Sequence, residues 1–324
     1  MRDVLMVVSI DTEEDNWYHS RRDATVDNIG ELPRLASLFE GLGVRPTYFT
    51  TYQVAIDPRA AQLLREAGQS GEIAAHLHPW NTPPLTEAFL PGNSMLKNLP
   101  AALQLAKLQS LTAALQRTFG VSPRSFRAGR YGLGQDTVAA LIRCGYEVDS
   151  SVTPFVSWEE FDEGPTFVGA PLNIYRLGAG RDVRQPAEQG ELIEVPLSSG
   201  FSRRPFTLWD RVHRALDVPG LRRLRGLCKR TLLSPEGASV ADMLSLSCRL
   251  LERGVRHLQL TLHSPSLKPG LSPFTPTAGD VARLYAMIEE YLTRLSQSTS
   301  LTCVTVSEAA ERLADRALPK ATAC

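Results

Sequence analysis

Short apolar runs alternate with stretches of helical periodicity along almost the whole chain, and this alternation restricts its possible folds more than any other feature. The first run, residues 4–10, reads as a buried strand. A helical stripe follows at Leu32, Leu35, Leu38, Phe39 and Leu42, with Asn28 and Glu31 as candidate caps and Gly43 just past its end. Further strands are expected at 46–50, 72–76, 125–127, 146–150, 192–197, 257–262 and 301–306. Helices are expected from the Asp57-Pro58 start to Gly68, and over 99–119, 137–144, 278–297 and 307–316. Residues 81–98 and 153–190 are rich in loop formers, and 203–252 reads as mostly helical and basic. Strand–helix alternation argues for a parallel α/β architecture, a barrel or an open doubly wound sheet. No repeat or linker interrupts it. Residues 1–324 therefore read as one domain with a mostly helical basic elaboration at about 200–252.

Charge and composition exclude several classes. Lys+Arg and Asp+Glu are 35 each, so no global field draws the chain to nucleic acid or anionic lipid. No uncharged stretch is long enough to span a bilayer. The five cysteines (Cys144, Cys228, Cys248, Cys303, Cys324) are odd in number and widely spaced, unlike a disulfide framework or a zinc ribbon. The apolar run at the N-terminus is too short for a secretory core, which points to a cytoplasmic protein with reduced thiols.

Four polar clusters fall just after predicted strands, on the face where parallel α/β proteins build active sites. In Asp11-Thr12-Glu13-Glu14-Asp15, Asp11 and Glu13 share one side of an extended backbone. One can bind a cation while the other takes a proton from water; a solvated acidic loop is the plain alternative. In His76-Leu77-His78-Pro79-Trp80, both histidines can face one metal ion such as Zn2+. In Arg127-Ala128-Gly129-Arg130-Tyr131, the arginine can hold a carboxylate ionised. Gly129 and Gly132 allow a backbone N–H to approach a ligand, although a βα turn with a surface ion pair fits as well. His263 ends the run 258–262 and is placed either as a general acid or as a loop cap. His19, His213 and His257 have no such company and read as structural.

In order and spacing these clusters resemble the motifs of the polysaccharide deacetylase (NodB-homology) family, carbohydrate esterase family 4. Ser9-Ile10-Asp11-Thr12-Glu13 is similar to its first motif, Glu72-Ile73-Ala74-Ala75-His76 to its second, and Phe126-Arg127-Ala128-Gly129-Arg130-Tyr131-Gly132 to its third. Asp149-Ser150-Ser151 resembles the fourth and Leu260-Thr261-Leu262-His263-Ser264 the fifth. The resemblance implies a distorted (β/α) barrel of about seven parallel strands. It implies Asp11 as general base, Glu13 and His76 as metal ligands, and Arg127 orienting Asp11 with help from Asp149. It further implies the Tyr131 N–H as oxyanion donor and His263 as acid to the leaving amine. The chain departs from the pattern where a second histidine usually lies three or four residues on, since Pro79 and Trp80 stand there, so His78 is expected to supply that ligand. Glu13 also stands where aspartate is commoner.

The expected activity is metal-dependent N-deacylation of an acylated amino sugar or glycoconjugate, with a divalent cation, Zn2+ first, as cofactor. Hydrolysis of another non-peptide C–N bond, or a catalytically inactive carbohydrate-binding homologue, are the alternatives. Arg203, Arg204, Arg211, Arg214, Arg222, Arg223, Arg225 and Arg230 can hold a phosphate or merely coat a solvated helix.

Overall fold

The computed structural model describes residues 3–15, 23–201, 205–216 and 230–314. Its first half repeats strand and helix. β1 (Val4–Thr12) leads to α1 (Leu32–Gly41) and β2 (Thr47–Thr50), then α2 (Tyr52–Ile56), α3 (Pro58–Ala67) and β3 (Glu72–Leu77). α4 (Ala101–Phe119), β4 (Ser125–Ala128), α5 (Gln135–Arg143) and β5 (Val148–Asp149) follow. The second half adds β6 (Tyr175–Leu177), β7 (Leu192–Glu194), β8 (Ser199–Phe201), α6 (Phe206–Ala215), β9 (Arg230–Leu232) and α7 (Val240–Glu252). It closes with β10 (His257–His263), α8 (Ala278–Ser298), β11 (Leu301–Val304) and α9 (Val306–Leu313).

One sheet runs in the order β10-β1-β2-β3-β4-β5-β7-β6, parallel throughout except for β6. β11 pairs with the first half of β1, on the edge that β2 occupies further along. The sheet is curled. In a flat sheet β5 and β10, five strand spacings apart, would lie about 24 Å from one another. Instead the Gln259 amide of β10 donates to Ser150 Oγ, just beyond β5, at 3.1 Å. The stretch after β7 completes the turn, with Ser198 Oγ accepting from Gln259 N at 2.9 Å. Seven parallel strands in this path make a half-closed barrel, as the resemblance implied.

Side-chain parity then fills the barrel. Val4, Met6, Val8 and Ile10 point outward into a core shared with α1, α3, α7 and α8. Ala75, Leu77, Phe126 and Ala128 pack outward against α4 and α5. Leu5 and Val7 point inward and meet Phe49, Ala74, Val148 and the α9 residues Val306, Ala309, Ala310 and Leu313, which plug the lower end. Further up, the same parity brings in Ser9, Asp11, His76, Arg127, Gln259 and His263, so the upper interior is polar.

Several local expectations shift. Asn28 does not cap α1; a 3-10 turn, Asp27–Glu31, comes first, and the Asn28 amide donates to the Glu13 carbonyl and to Asp15. Asp57 does cap α3, accepting from Ala60 N at 2.7 Å, with Gly68 at its end. Within 200–252 the described residues are mainly helical, in α6 and α7, and also contribute to a short ribbon. The β8–β9 ribbon lies beside α6 and α7; Leu233 N donates to the Ser198 carbonyl at 2.8 Å, and the Leu233 carbonyl accepts from Thr261 N of β10 at 3.0 Å, which draws the chain to that strand. Arg203, Arg204, Arg222, Arg223, Arg225, the Arg214 side chain, His19, Cys228 and Cys324 lie outside the described residues. Cys144, Cys248 and Cys303 are free thiols. Among the described residues no helix is long and apolar enough to cross a membrane.

The loop after β3 is fixed by a buried cation. Lys107 of α4 is wholly buried, and its Nζ donates to the carbonyls of Pro79 (2.8 Å), Thr82 (2.7 Å) and Pro84 (2.7 Å) beside the Glu87 carboxylate at 3.1 Å. Removing the ammonium leaves those acceptors buried and unpaired. Lys107→Met should therefore cost on the order of 3 kcal/mol, measured as a lower urea midpoint at unchanged m value.

Candidate active site

Each catalytic candidate stands where a strand of the half-barrel ends. β1 delivers Asp11 and, one step past its last residue, Glu13; β3 delivers His76 and the following His78; β4 delivers Arg127; β10 delivers His263. Adjacent registers (Asp11 beside His263, His76 beside Arg127) force these side chains together at one end of the barrel.

Arg127 is fully buried and ties the site to the barrel wall. Its Nη1 donates to Asp11 Oδ1 and, at 3.1 Å, to Thr261 Oγ1; Nη2 donates to Ser9 Oγ at 3.0 Å and Nε to the Ser150 carbonyl at 2.8 Å. The Phe49 ring lies 4.1 Å below the guanidinium. Burial, the largest single influence, would raise the Asp11 pKa, but the charges of Arg127, His76 and His263 together outweigh it and hold the carboxyl below its ordinary range. Asp11 Oδ2 is left facing His263 Nε2 at 3.6 Å and His76 Nε2 at 4.0 Å.

Glu13, His76 and His78 form a second group, all nearly buried, whose ligand atoms lie within 4.8 Å of one another. His76 Nδ1 lies 3.0 Å from the Arg127 carbonyl, which can only accept, so that nitrogen carries the proton. His78 Nδ1 is 2.6 Å from Glu14 Oε1. The two Nε2 atoms then face one another at 3.1 Å, with Glu13 Oε2 at 3.5 Å from His76 and 3.2 Å from His78. In neutral imidazoles these are three acceptors with no donor among them, an arrangement that calls for a cation or a proton. Without a cation, His78 takes the proton: burial would lower its pKa, but Glu14 and Glu13 prevail and push it up to about 10. Two imidazoles and one carboxylate suit a divalent ion such as Zn2+, leaving a coordination position open.

His263 is partly buried and gripped by Glu236. Glu236 Oε2 meets His263 Nδ1 at 2.7 Å and Oε1 accepts from the His263 backbone at 3.0 Å and from Ser266 Oγ. Burial would lower the His263 pKa, but Glu236 overrides it and raises it to about 10, so the ring keeps a proton on Nε2 pointing at Asp11.

The turn after β4 is strained. Arg130 (φ 53°) and Tyr131 (φ 57°) are consecutive non-glycine residues in the left-handed region, where each costs about 1–3 kcal/mol. Gly129 has no room for a side chain, since a Cβ would lie 2.5 Å from the His78 ring. The turn therefore seats directly on the metal-ligand candidate.

No family model matches the chain, and no curated protein matches it. Solved structures do. A protein of Mycobacterium smegmatis assigned as a polysaccharide deacetylase superposes with a TM-score of 0.57 at 18% identity, over 99% of this chain and 94% of that one. A protein of Parabacteroides distasonis assigned as a glycoside hydrolase/deacetylase gives 0.61 at 11% identity, over 96% and 70%. The chain has the polysaccharide-deacetylase fold.

Within this deacetylase fold the structure gathers Asp11, Glu13, His76, His78, Arg127 and His263, with the Tyr131 turn against them. Asp149 lies within electrostatic reach of Arg127 but makes its hydrogen bonds elsewhere. Its carboxylate accepts from Ser151 N (3.0 Å) and Ser151 Oγ (2.8 Å), and Arg127 is held by the Ser150 carbonyl instead. Asp149 faces Glu194 across neighbouring strands, and burial raises both carboxyls so that the pair retains a proton. Two residues went unread in the sequence. Glu14 was within the acidic cluster, but strand parity would turn it away from Glu13; the chain leaves the strand at Thr12, and that brings it to His78. Glu236 lies 27 residues from His263 with no local pattern linking them.

Metal titration tests the ligand group. His78→Ala should weaken Zn2+ or Co2+ binding by about a hundredfold or more, and Glu14→Gln, which only unfixes the His78 ring, by about 10–100-fold. Unchanged affinity in His78→Ala would remove it from the ligand set.

Proposed function

We propose that the protein is a divalent-cation-dependent hydrolase that removes an N-acyl group, acetyl first, from an amino sugar or a glycoconjugate. One observation carries this reading. The Asp11 carboxyl, held below its ordinary pKa range, and the His263 ring, raised above its own, oppose each other at 3.6 Å beside the Glu13–His76–His78 group. A binding protein has no need of a base and an acid held in opposite protonation states. The likeness in fold to proteins assigned as deacetylases supports the amide of a sugar as the bond attacked.

Held by Glu13, His76 and His78, a cation such as Zn2+ supplies Lewis acidity, polarising the acyl carbonyl and making a nearby water more acidic. The chain's own residues do the rest. Asp11 Oδ2 takes a proton from water, while Arg127 on Oδ1 keeps the carboxylate ionised and aimed. Oxygen adds to the carbonyl carbon, and the backbone N–H of Tyr131, in its strained turn, donates to the developing oxyanion. His263 then gives its Nε2 proton to the departing nitrogen, and Glu236 stabilises the charge of the ring before transfer.

Two outcomes follow. Asp11→Asn should retain stoichiometric metal, since Asp11 lies outside the ligand group, while acetate release falls about a hundredfold or more; near wild-type turnover would assign the base elsewhere. The pH profile of kcat/KM should have an acid limb below the ordinary carboxylate range, where Asp11 gains a proton, and an alkaline limb near pH 10, where His263 loses one. Glu236→Gln removes the charge that raises the His263 pKa, so its alkaline limb should move down toward the ordinary histidine range; an unmoved limb would separate Glu236 from the acid.

A further inference from the structure

The loop after β5 carries an exposed phenylalanine in a fixed position. Residues 157–166 fold back on themselves, with an isolated bridge between Ser157 and Thr166 and a bond from Trp158 N to the Pro165 carbonyl at 2.9 Å. At the tip, Phe161 is 55% exposed. The tip is clamped beside it: Arg130 pairs with the Asp162 carboxylate, and the Asn98 amide donates to the Asp162 carbonyl at 3.0 Å. A lone exposed aromatic is ordinary. This one is the outer member of a file. Tyr131 stacks on Trp158 with centroids 5.3 Å apart, and Trp158 meets Phe161 edge-on at 6.0 Å. Burial falls along it, from Tyr131 in the turn after β4, through partly buried Trp158, to Phe161 in solvent. Arg130, next to Tyr131, anchors both ends of the file.

We propose that Trp158 and Phe161 form a specificity-determining subsite for the sugar ring next to the one bearing the scissile amide, and that Glu160 and Glu163 bias it toward a ring with a free ammonium group. This rests on the N-deacylase reading. A pyranose presents an apolar C–H face that suits an aromatic surface, and an ammonium is drawn to the face of an aromatic ring. Glu160 and Glu163 flank Phe161 at the tip and are exposed, so the rim is anionic. Like charge disfavours a phosphate-linked neighbour there. The substrate class is therefore an oligosaccharide of amino sugars in which an acylated ring adjoins an unacylated one.

Metal-loaded full-length protein tests this with four probes: N-acetylglucosamine, a β-linked glucosamine disaccharide acetylated on one ring, the same disaccharide acetylated on both, and uridine-diphosphate N-acetylglucosamine. Acetate release gives kcat/KM, and calorimetry gives Kd independently of turnover. Wild type should prefer the singly acetylated disaccharide and use the nucleotide sugar least. Phe161→Ala should lower the disaccharide-to-monosaccharide ratio of kcat/KM about tenfold through KM. The Glu160→Gln/Glu163→Gln double variant should abolish the preference for the singly over the doubly acetylated disaccharide. Acetate release with an unchanged ratio in Phe161→Ala, or with the nucleotide sugar preferred, overturns the subsite and leaves the hydrolase reading standing. Absence of release from every probe, with disaccharide binding weakened by Phe161→Ala, overturns the hydrolase reading and leaves the subsite. Neither release nor binding overturns both.

Discussion

The buried pair of Arg127 and Asp11 is the interaction on which the rest of the structure depends. A guanidinium with no exposed surface costs several kcal/mol in lost hydration unless its donors are met. Here they are met from β1, β10 and the end of β5 at once, through Asp11, Ser9, Thr261 and Ser150. Those partners lie on strands up to five places apart in the sheet, so satisfying one side chain requires the sheet to curl. The same contact keeps Asp11 ionised. Barrel closure and the ionised state of Asp11 thus depend on the same buried pair.

Parity sorts the interior by height. Leu5 and Val7, low on β1, make a dry floor with α9; Ser9 and Asp11, two and four residues on, enter a polar layer. The floor supplies apolar burial without touching the site, and the polar layer supplies directed hydrogen bonds that fix side-chain positions. Glu13 is steadied from outside the strand, by Ser264 Oγ on its N–H at 3.0 Å and by the Asn28 amide on its carbonyl at 2.9 Å.

Two carboxylates act on two histidines to different ends. Glu14 and Glu236 each hold an Nδ1, at 2.6 Å and 2.7 Å. At His78 the outcome is an Nε2 facing two other acceptors, which suits a cation. At His263 the Nε2 faces the Asp11 carboxylate at 3.6 Å, which suits a retained proton. The same local contact on Nδ1 thus leaves two different environments at Nε2, set by what lies on the far side of the ring.

The sequence by itself determined the alternation of strands and helices, the parallel class, and the grouping of Asp11, Glu13, His76, His78, Arg127 and His263 at strand ends, because apolar periodicity and strand parity are local properties of the chain. Helix limits such as Asp57 and Gly68 were equally legible, since a cap acts within a single turn. Only the tertiary structure decided which carboxylates stand behind the histidines, why Asn28 serves Asp15 and Glu13 instead of α1, why Asp149 turns to Ser151 and Glu194, and how Lys107 gathers three carbonyls of a loop 20 or more residues away. Each of those depends on contacts between residues distant in sequence. Their partners are set by the curl of the sheet and the path of the loops, which no short stretch of sequence encodes.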